Sequence, residues 1–326
     1  MLIFLLTVLL SGFAAQNDLP QLSPRPLKAS SIKKLEVPPF GAYGQSLCDE
    51  NSSWYDHLAG GSYRHTVILR TSFSGNESTL YKLPDEFADS TAFTDFSVTP
   101  DGDVTVLVED EQGHSIRFDF DSEGKVSSHA QLELSNQVEG DKIAVFPNGA
   151  MLFSGHYRKS AAPDLKGKRY VALFQPSGKL LQKLDQTGAA DVKVDQPATS
   201  LPEGAATIGR DGNAYLLTPD KVLVISASGE IQKKISFTKP APTFSVVGVQ
   251  YSEGLLAISL TKAGTPKAPE SLFQYLVLNA STGEPLGLYE PTPETGNDSI
   301  CFSRREGFIF LTVKNDRVNL ITAPLL

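Results

Sequence analysis

Ala206-Thr-Ile-Gly-Arg-Asp-Gly-Asn-Ala-Tyr-Leu-Leu-Thr-Pro-Asp-Lys-Val-Leu-Val-Ile-Ser-Ala-Ser-Gly-Glu-Ile-Gln-Lys-Lys-Ile235 is the stretch that decides the fold. It reads as a strand, an Asp-Gly turn, a strand, a short loop, a third strand, a Ser-Gly turn and a charged outer strand. Asp-Gly between apolar runs is a strong hairpin signal, because the turn needs a positive φ that glycine reaches at little cost. The last strand alternates polar and apolar residues, as a strand with one wet face does. Four short strands in series form one blade of a β-propeller.

The same pattern recurs in both directions. Its second turn carries Gly75, Gly124, Gly178, Gly229 and Gly283, at intervals of 49, 54, 51 and 54 residues. Its first turn carries Asp101-Gly102, Asn148-Gly149, Asp211-Gly212, Glu253-Gly254 and Glu306-Gly307. The last copy runs through Ile300-Cys-Phe-Ser303, Phe308–Val313 and Arg317–Thr322, and then stops at Leu326 with no outer strand. The missing piece lies near the other end of the chain: Ser31-Ile-Lys-Lys-Leu-Glu-Val37 matches Glu230-Ile-Gln-Lys-Lys-Ile235. The expected fold is therefore all-β, a six-bladed β-propeller whose ring is closed by an N-terminal strand completing the last blade. Closure removes the free sheet edge of an open array. An open β-sandwich or two small β domains is the alternative, and the matched end strands argue against it.

Arg210-Asp-Gly-Asn-Ala-Tyr215, Val222–Ile225 and Ser228-Gly-Glu-Ile231 resemble NHL-type repeats, a group within the six-bladed propellers. The resemblance is good for this blade and diffuse over the rest. It implies a fold and a style of closure. It implies no single activity, since propellers host lyases, lactonases and plain binding platforms.

The 326 residues suffice for one large β domain, with 40% apolar and 20% charged residues. A net charge of −8 argues against a nucleic-acid surface, and no basic run exists beyond Lys166-Gly-Lys-Arg169. Residues 1–15 combine a short apolar run with small residues after it, as a secretory signal does, although no Lys or Arg precedes Arg25. An uncleaved membrane anchor is the other reading. Residues 16–29, rich in Pro, Ser and Leu, read as a linker, and 30–326 as the propeller. A secreted or periplasmic location follows. Cys48 and Cys301 are the two cysteines; the repeat places them in the inner strands of the first and last blades, which closure makes neighbours. In an exported chain they are expected to form a disulfide, with two buried thiols as the alternative.

Function is less legible. The loop Trp54-Tyr-Asp-His-Leu-Ala-Gly-Gly-Ser-Tyr-Arg-His65 holds the single Trp, and Gly155-His-Tyr-Arg158 repeats its His-Tyr-Arg theme two blades on. Both fall in middle loops, which emerge on one face of a propeller. His57, Tyr63, Arg64, His156, Tyr157 and Arg158 are thus expected to line or border a binding face for a small molecule, glycan or protein. Packing of Trp54 and Tyr55 between blades is the plainer reading. Gluconolactonase-like propellers hold a divalent cation with Glu, Asn and Asp from separate blades, and Asp49-Glu-Asn51 stands at the first inner strand. The signature around that glutamate is missing, and no other inner strand offers the partners. No metal and no cofactor are expected. The leading expectation is an exported binding module without catalysis. The competing one is a metal-dependent lactonase or related hydrolase.

Overall fold

The computed structural model describes residues 22–35, 46–48, 51–56, 66–74, 77–88, 90–184, 206–264, 272–296, 299–314 and 317–325. Two strands come first, β1 (Arg25–Pro26) and β2 (Ser31–Leu35). The first sheet is β3 (Ser46–Cys48), β4 (Ser52–Asp56), β5 (Thr66–Ser72) and β6 (Ser78–Lys82). A one-turn helix, α1 (Asp85–Ala88), leads to the second: β7 (Thr91–Val98), β8 (Val104–Asp110), β9 (Ser115–Phe120) and β10 (Val126–Gln131). The third is β11 (Val138–Val145), β12 (Met151–Tyr157), β13 (Arg169–Phe174) and β14 (Leu180–Lys183). The fourth is β15 (Ala206–Ile208), β16 (Ala214–Leu217), β17 (Lys221–Ile225) and β18 (Ile231–Ser236). The fifth is β19 (Ser245–Ser252), β20 (Leu255–Lys262), β21 (Leu272–Asn279) and β22 (Pro285–Glu290). The sixth is β23 (Ser299–Ser303), β24 (Gly307–Lys314) and β25 (Arg317–Ala323), completed by β2.

Each sheet is an antiparallel meander whose first strand is innermost. The inner strands touch in series: β7 meets β11, β11 meets β15, β15 meets β19, β19 meets β23, and β23 meets β3. This is an all-β propeller. Six apolar clusters fill the gaps between consecutive sheets. One of them, with Leu69, Phe73, Ile309, Leu311 and Leu320, packs the sixth sheet against the first. Burying an aliphatic or aromatic side chain of this size stabilises by about 1.5–3 kcal/mol, so the clusters supply most of what holds neighbouring sheets together.

The strand expected over residues 31–37 is present as β2, and it pairs antiparallel with β25 from Ser31↔Thr322 to Leu35↔Val318. Residues 36–37 lie outside the described residues. The Lys33 ammonium donates to the Phe73 carbonyl of the first sheet, bridging the same seam. Cys48 and Cys301 are disulfide-bonded, with Cα atoms 5.5 Å apart.

Residues 22–29, part of the segment read as a linker, include residues that pack on the fifth sheet. β1 adds in parallel to β22, and Leu27 is 1% exposed in a cluster with Tyr275, Tyr289 and Phe302. The Leu27 N–H donates to the Glu290 carbonyl (2.8 Å), and Thr292 Oγ1 donates to the Leu27 carbonyl (2.9 Å). Pro24 and Pro26 gave the segment a linker's composition; one leucine docks it.

The periodic second-turn glycine has a second cause besides its backbone angle. Gly178 has φ +79°, and a Cβ there would stand 2.1 Å from the Gln131 carbonyl oxygen of β10. Gly124 likewise meets the Leu80 carbonyl of β6 at 2.3 Å. The turn of one sheet thus rests on the outer strand of the sheet before it, with no room for a side chain.

Candidate functional site

The meander sends the middle loops of all sheets to one end of the barrel of strands and the first turns to the other. His156 lies near the end of β12, and Arg158 lies just beyond it. Both are at the middle-loop end, beside the seam between the second and third sheets. A β-bulge between Gly140 and Lys142 makes Asp141 the extra residue of β11. Bulges re-aim side chains; this one brings both Asp141 carboxylate oxygens within 3.1 Å of His156 Nδ1. Glu139 Oε2 stands 3.8 Å from the other ring nitrogen. The hydrogen bond to Asp141 raises the imidazole pKa above its usual value against the opposing effect of burial.

Arg158 sits between two carboxylates. One guanidinium nitrogen bonds Glu109 of β8, across the seam, and the other reaches Glu139 at 3.2 Å. Its backbone N–H donates to the Gln137 carbonyl at 2.7 Å. Tyr157 packs edge-on against Tyr170, with ring centroids 5.7 Å apart. The three residues expected from this loop are therefore together at one end of the molecule. Two are held in a chain of alternating charges, Glu109, Arg158, Glu139, His156 and Asp141. Tyr157 is half-buried against the third sheet's core. His57, Tyr63 and Arg64, like Asp49 and Glu50, lie outside the described residues. Among the described residues, no group of three or more His, Cys, Asp or Glu side chains is arranged to hold a metal ion.

Beyond Arg158 the loop of residues 159–168 is internally bonded. Ala161 N–H donates to the Arg158 carbonyl, Lys166 N–H to that of Ala162, and Lys168 N–H to that of Leu165. The Tyr157 N–H donates to the Lys168 carbonyl and closes the base (2.9 Å). Ala161 is buried, and Lys159, Lys166 and Lys168 are exposed. A rigid scaffold thus presents three ammonium groups on one loop.

Two features have no signal in the turn pattern. Asp95 and Ser97 of β7 accept from the backbone of the next inner strand: Ile143 N–H donates to Asp95 Oδ2 (2.7 Å) and Val145 N–H to Ser97 Oγ (2.9 Å). Gln250 and Ser252 of β19 do the same for Phe302 and Arg304. Alternate residues of one strand point the same way, so two acceptors spaced by two serve two donors spaced by two. Asp95 is fully buried; desolvation pushes its carboxyl up to about 6, while Lys142 Nζ at 3.3 Å pulls the other way. The second feature is a cavity of about 70 Å³ at the first-turn end, among inner-strand residues of four sheets, including Cys48, Thr99, Thr207, Arg210 and Tyr251. That is room for about two waters. Beside it Tyr215 stacks on Tyr251 (4.6 Å) and donates to Asp211 Oδ2 (2.7 Å), and burial raises its phenol pKa.

No protein-family model matches the sequence, and a search of curated proteins finds no match. Solved structures do resemble it in fold. A luciferin-regenerating enzyme shares 8% identity at a TM-score of 0.52, over 90% of this chain and 97% of its own. The calcium-binding protein regucalcin from Agrobacterium tumefaciens shares 13% at 0.51, over 92% and 96%. A candidate gluconolactonase shares 13% at 0.50, over 93% and 94%. These neighbours are six-bladed propellers, and at such identities the likeness concerns the fold alone.

Proposed function

We propose that the chain is a six-bladed propeller of NHL-like repeats, closed by β2, that works outside the cytoplasm as a binding module without catalysis. Six sheets, six clusters between consecutive sheets and six-bladed neighbours support the blade count. The Cys48–Cys301 bond supports an oxidising, secreted or periplasmic location. The observation that carries the binding reading is the loop 158–168, closed at its base by backbone hydrogen bonds and carrying the exposed ammonium groups of Lys159, Lys166 and Lys168. In this reading Arg158 and His156 border the binding face and hold the loop, since their own charges are already engaged. Contact with a small molecule, glycan or protein falls to Lys159, Lys166 and Lys168, and an anionic group is the natural complement.

The test is a glycan and peptide array probed with the purified chain and with a Lys159→Ala/Lys166→Ala/Lys168→Ala variant. Exposed lysines add little to stability, so both should melt together. Array ligands bound by the wild type and lost by the variant support the reading. Binding unaffected by the three changes moves the site off this loop. The competing lactonase reading is tested in parallel. Turnover of D-glucono-1,5-lactone in the presence of Ca²⁺ or Mg²⁺, above the uncatalysed rate, replaces binding with catalysis.

A further inference from the structure

The seam between the second and third sheets concentrates ionisable groups, of which the binding reading uses Arg158 and His156 alone, to hold the loop. Asp95 crosses the seam to the backbone of Ile143 and to Lys142, and its carboxylate is sealed from solvent. Ser97 crosses beside it to Val145. Towards the middle-loop end Arg158 crosses in the other direction to Glu109. These contacts run along β11, from Glu139, which also holds Arg158, past the bulge at Asp141 to Lys142, Ile143 and Val145.

We propose that this seam is a proton-sensitive junction: Asp95 binds a proton as the two sheets dock, and His156 binds one at the seam's edge, where Glu139 links it to Arg158 and through Arg158 to Glu109 of the facing sheet. Two separate geometries point to it. Around His156, the charged groups that face it are Asp141 and Glu139 from β11 and Arg169 from β13, with Arg158 completing the array through Glu139. With His156 protonated, the negative charges of Glu109, Glu139 and Asp141 balance the positive charges of Arg158, Arg169 and the imidazolium. Without that proton the array keeps one uncompensated negative charge in a half-buried place. Around Asp95, one cation faces the carboxylate: Lys142, whose side chain is 26% exposed and keeps part of its hydration. A single partly wet ammonium compensates a sealed carboxylate incompletely, and protonation relieves the rest.

Both groups have folded pKa values above their unfolded ones, so the signs agree. The contribution of Asp95 to stability is fully present below pH 3.8 and is lost as the pH rises through about 6. That window corresponds to a folding constant lower by about 100-fold at its alkaline end. The contribution of His156 is present below pH 6.5 and is lost as the pH rises above it. The junction tightens in acid and loosens above neutrality.

The experiment is urea unfolding of the full chain from pH 4 to 9, with NMR titration of the Ile143 amide and the His156 ring. In the wild type the Ile143 signal should move with a midpoint near 6. Asp95→Asn keeps an acceptor for Ile143 and should abolish both that titration and the fall in stability between pH 4 and 6, measured as the difference from wild type. His156→Gln should abolish the fall above pH 6.5. Lys142→Met removes the cation facing Asp95 and should move the Ile143 midpoint to higher pH while leaving the His156 titration in place. The proposal is overturned if Asp95→Asn keeps the whole wild-type pH profile, or if the Ile143 signal is flat across the range.

Discussion

Removing the Cys48–Cys301 bond should cost more than any other pairwise change in the molecule. The bond joins the inner strands of the first and sixth sheets across a sequence separation of 253 residues. In the chain-entropy account, a loop that long restricts the unfolded chain by about 5 kcal/mol at 25 °C. A typical domain has only about 5–15 kcal/mol in total, so the loss should be visible in any unfolding curve. Cys301 is 1% exposed beside Ile309 and Leu320, so Cys48→Ala/Cys301→Ala is the cleaner perturbation; serine would add a buried hydroxyl. The assay is urea unfolding followed by far-UV circular dichroism and by the fluorescence of Trp54, the single tryptophan, which lies in β4 beside the closure. The midpoint should fall by an amount worth several kcal/mol, and the m-value should rise because the unfolded chain is no longer cross-linked. Wild type in reducing agent should behave as the double variant does. The native ring should survive under mild conditions, since β2 and β25 close it independently. A loss below about 1 kcal/mol with an unchanged m-value would refute the reasoning, because the long loop then restricts the unfolded state far less than its length requires.

Gly178→Ala and Gly102→Ala separate the two causes of the periodic glycines. Both positions have positive φ, but nothing lies within 4 Å of a Cβ at Gly102, whereas one at Gly178 meets Gln131 O at 2.1 Å; thermal unfolding should show a loss of about 1 kcal/mol for Gly102→Ala and clearly more for Gly178→Ala. Ser97→Ala leaves the buried Val145 N–H without its acceptor and should cost about 1–3 kcal/mol by urea unfolding, against less for Ser252→Ala, whose donor Arg304 is exposed. Deleting residues 1–35 removes β2 and bares the edge of β25; light scattering should show concentration-dependent association, and a stable monomer would mean that the edge is harmless.

The fold was legible because its constraints are local and repeated. A tight turn needs glycine, so Gly124, Gly178, Gly229 and Gly283 mark the second to fifth sheets in the sequence. The match between 31–37 and 230–235 revealed the closing strand because an outer strand has its own signature, one wet face and lysines along the edge. The cysteines could be paired once the repeat had placed them in inner strands. The second role of Gly178, as a seat for the preceding sheet, has no signal of its own, because one glycine satisfies both demands. Leu27 was hidden for a different reason. Its docking depends on Tyr275, Tyr289 and Phe302, which are about 250 residues away in sequence, and the prolines just before it give the segment the composition of a linker.

The candidate site was half legible, and the reason lies in what a side chain's identity can say. His156 and Arg158 announce themselves as chemistry-bearing residues of a middle loop; Arg158 begins that loop, while His156 belongs to the end of β12. Whether such a group faces a ligand or a neighbour depends on carboxylates contributed by other strands. Glu139 and Asp141 come from β11 and Glu109 from a different sheet, so only the packed structure shows that Arg158 is already bound on both sides. The clamp of Asp95 and Ser97 was hidden by turn length. Ser97 lies five residues before its turn glycine Gly102, while Ser252, in the same role, lies two before Gly254. Aligned on the glycines, the two pairs fall out of register and look like scattered polar residues. In the structure both pairs lie near the end of an inner strand, each supplying two acceptors to N–H groups of the next sheet. An inner strand has a free edge toward the middle of the ring, and an unmet buried N–H costs about 1–3 kcal/mol. The acceptors Asp95, Ser97, Gln250 and Ser252 therefore answer a demand of the fold, and of these four Asp95 is the one that carries an acidic group, which is why the proton-sensitive junction proposed above falls at its seam.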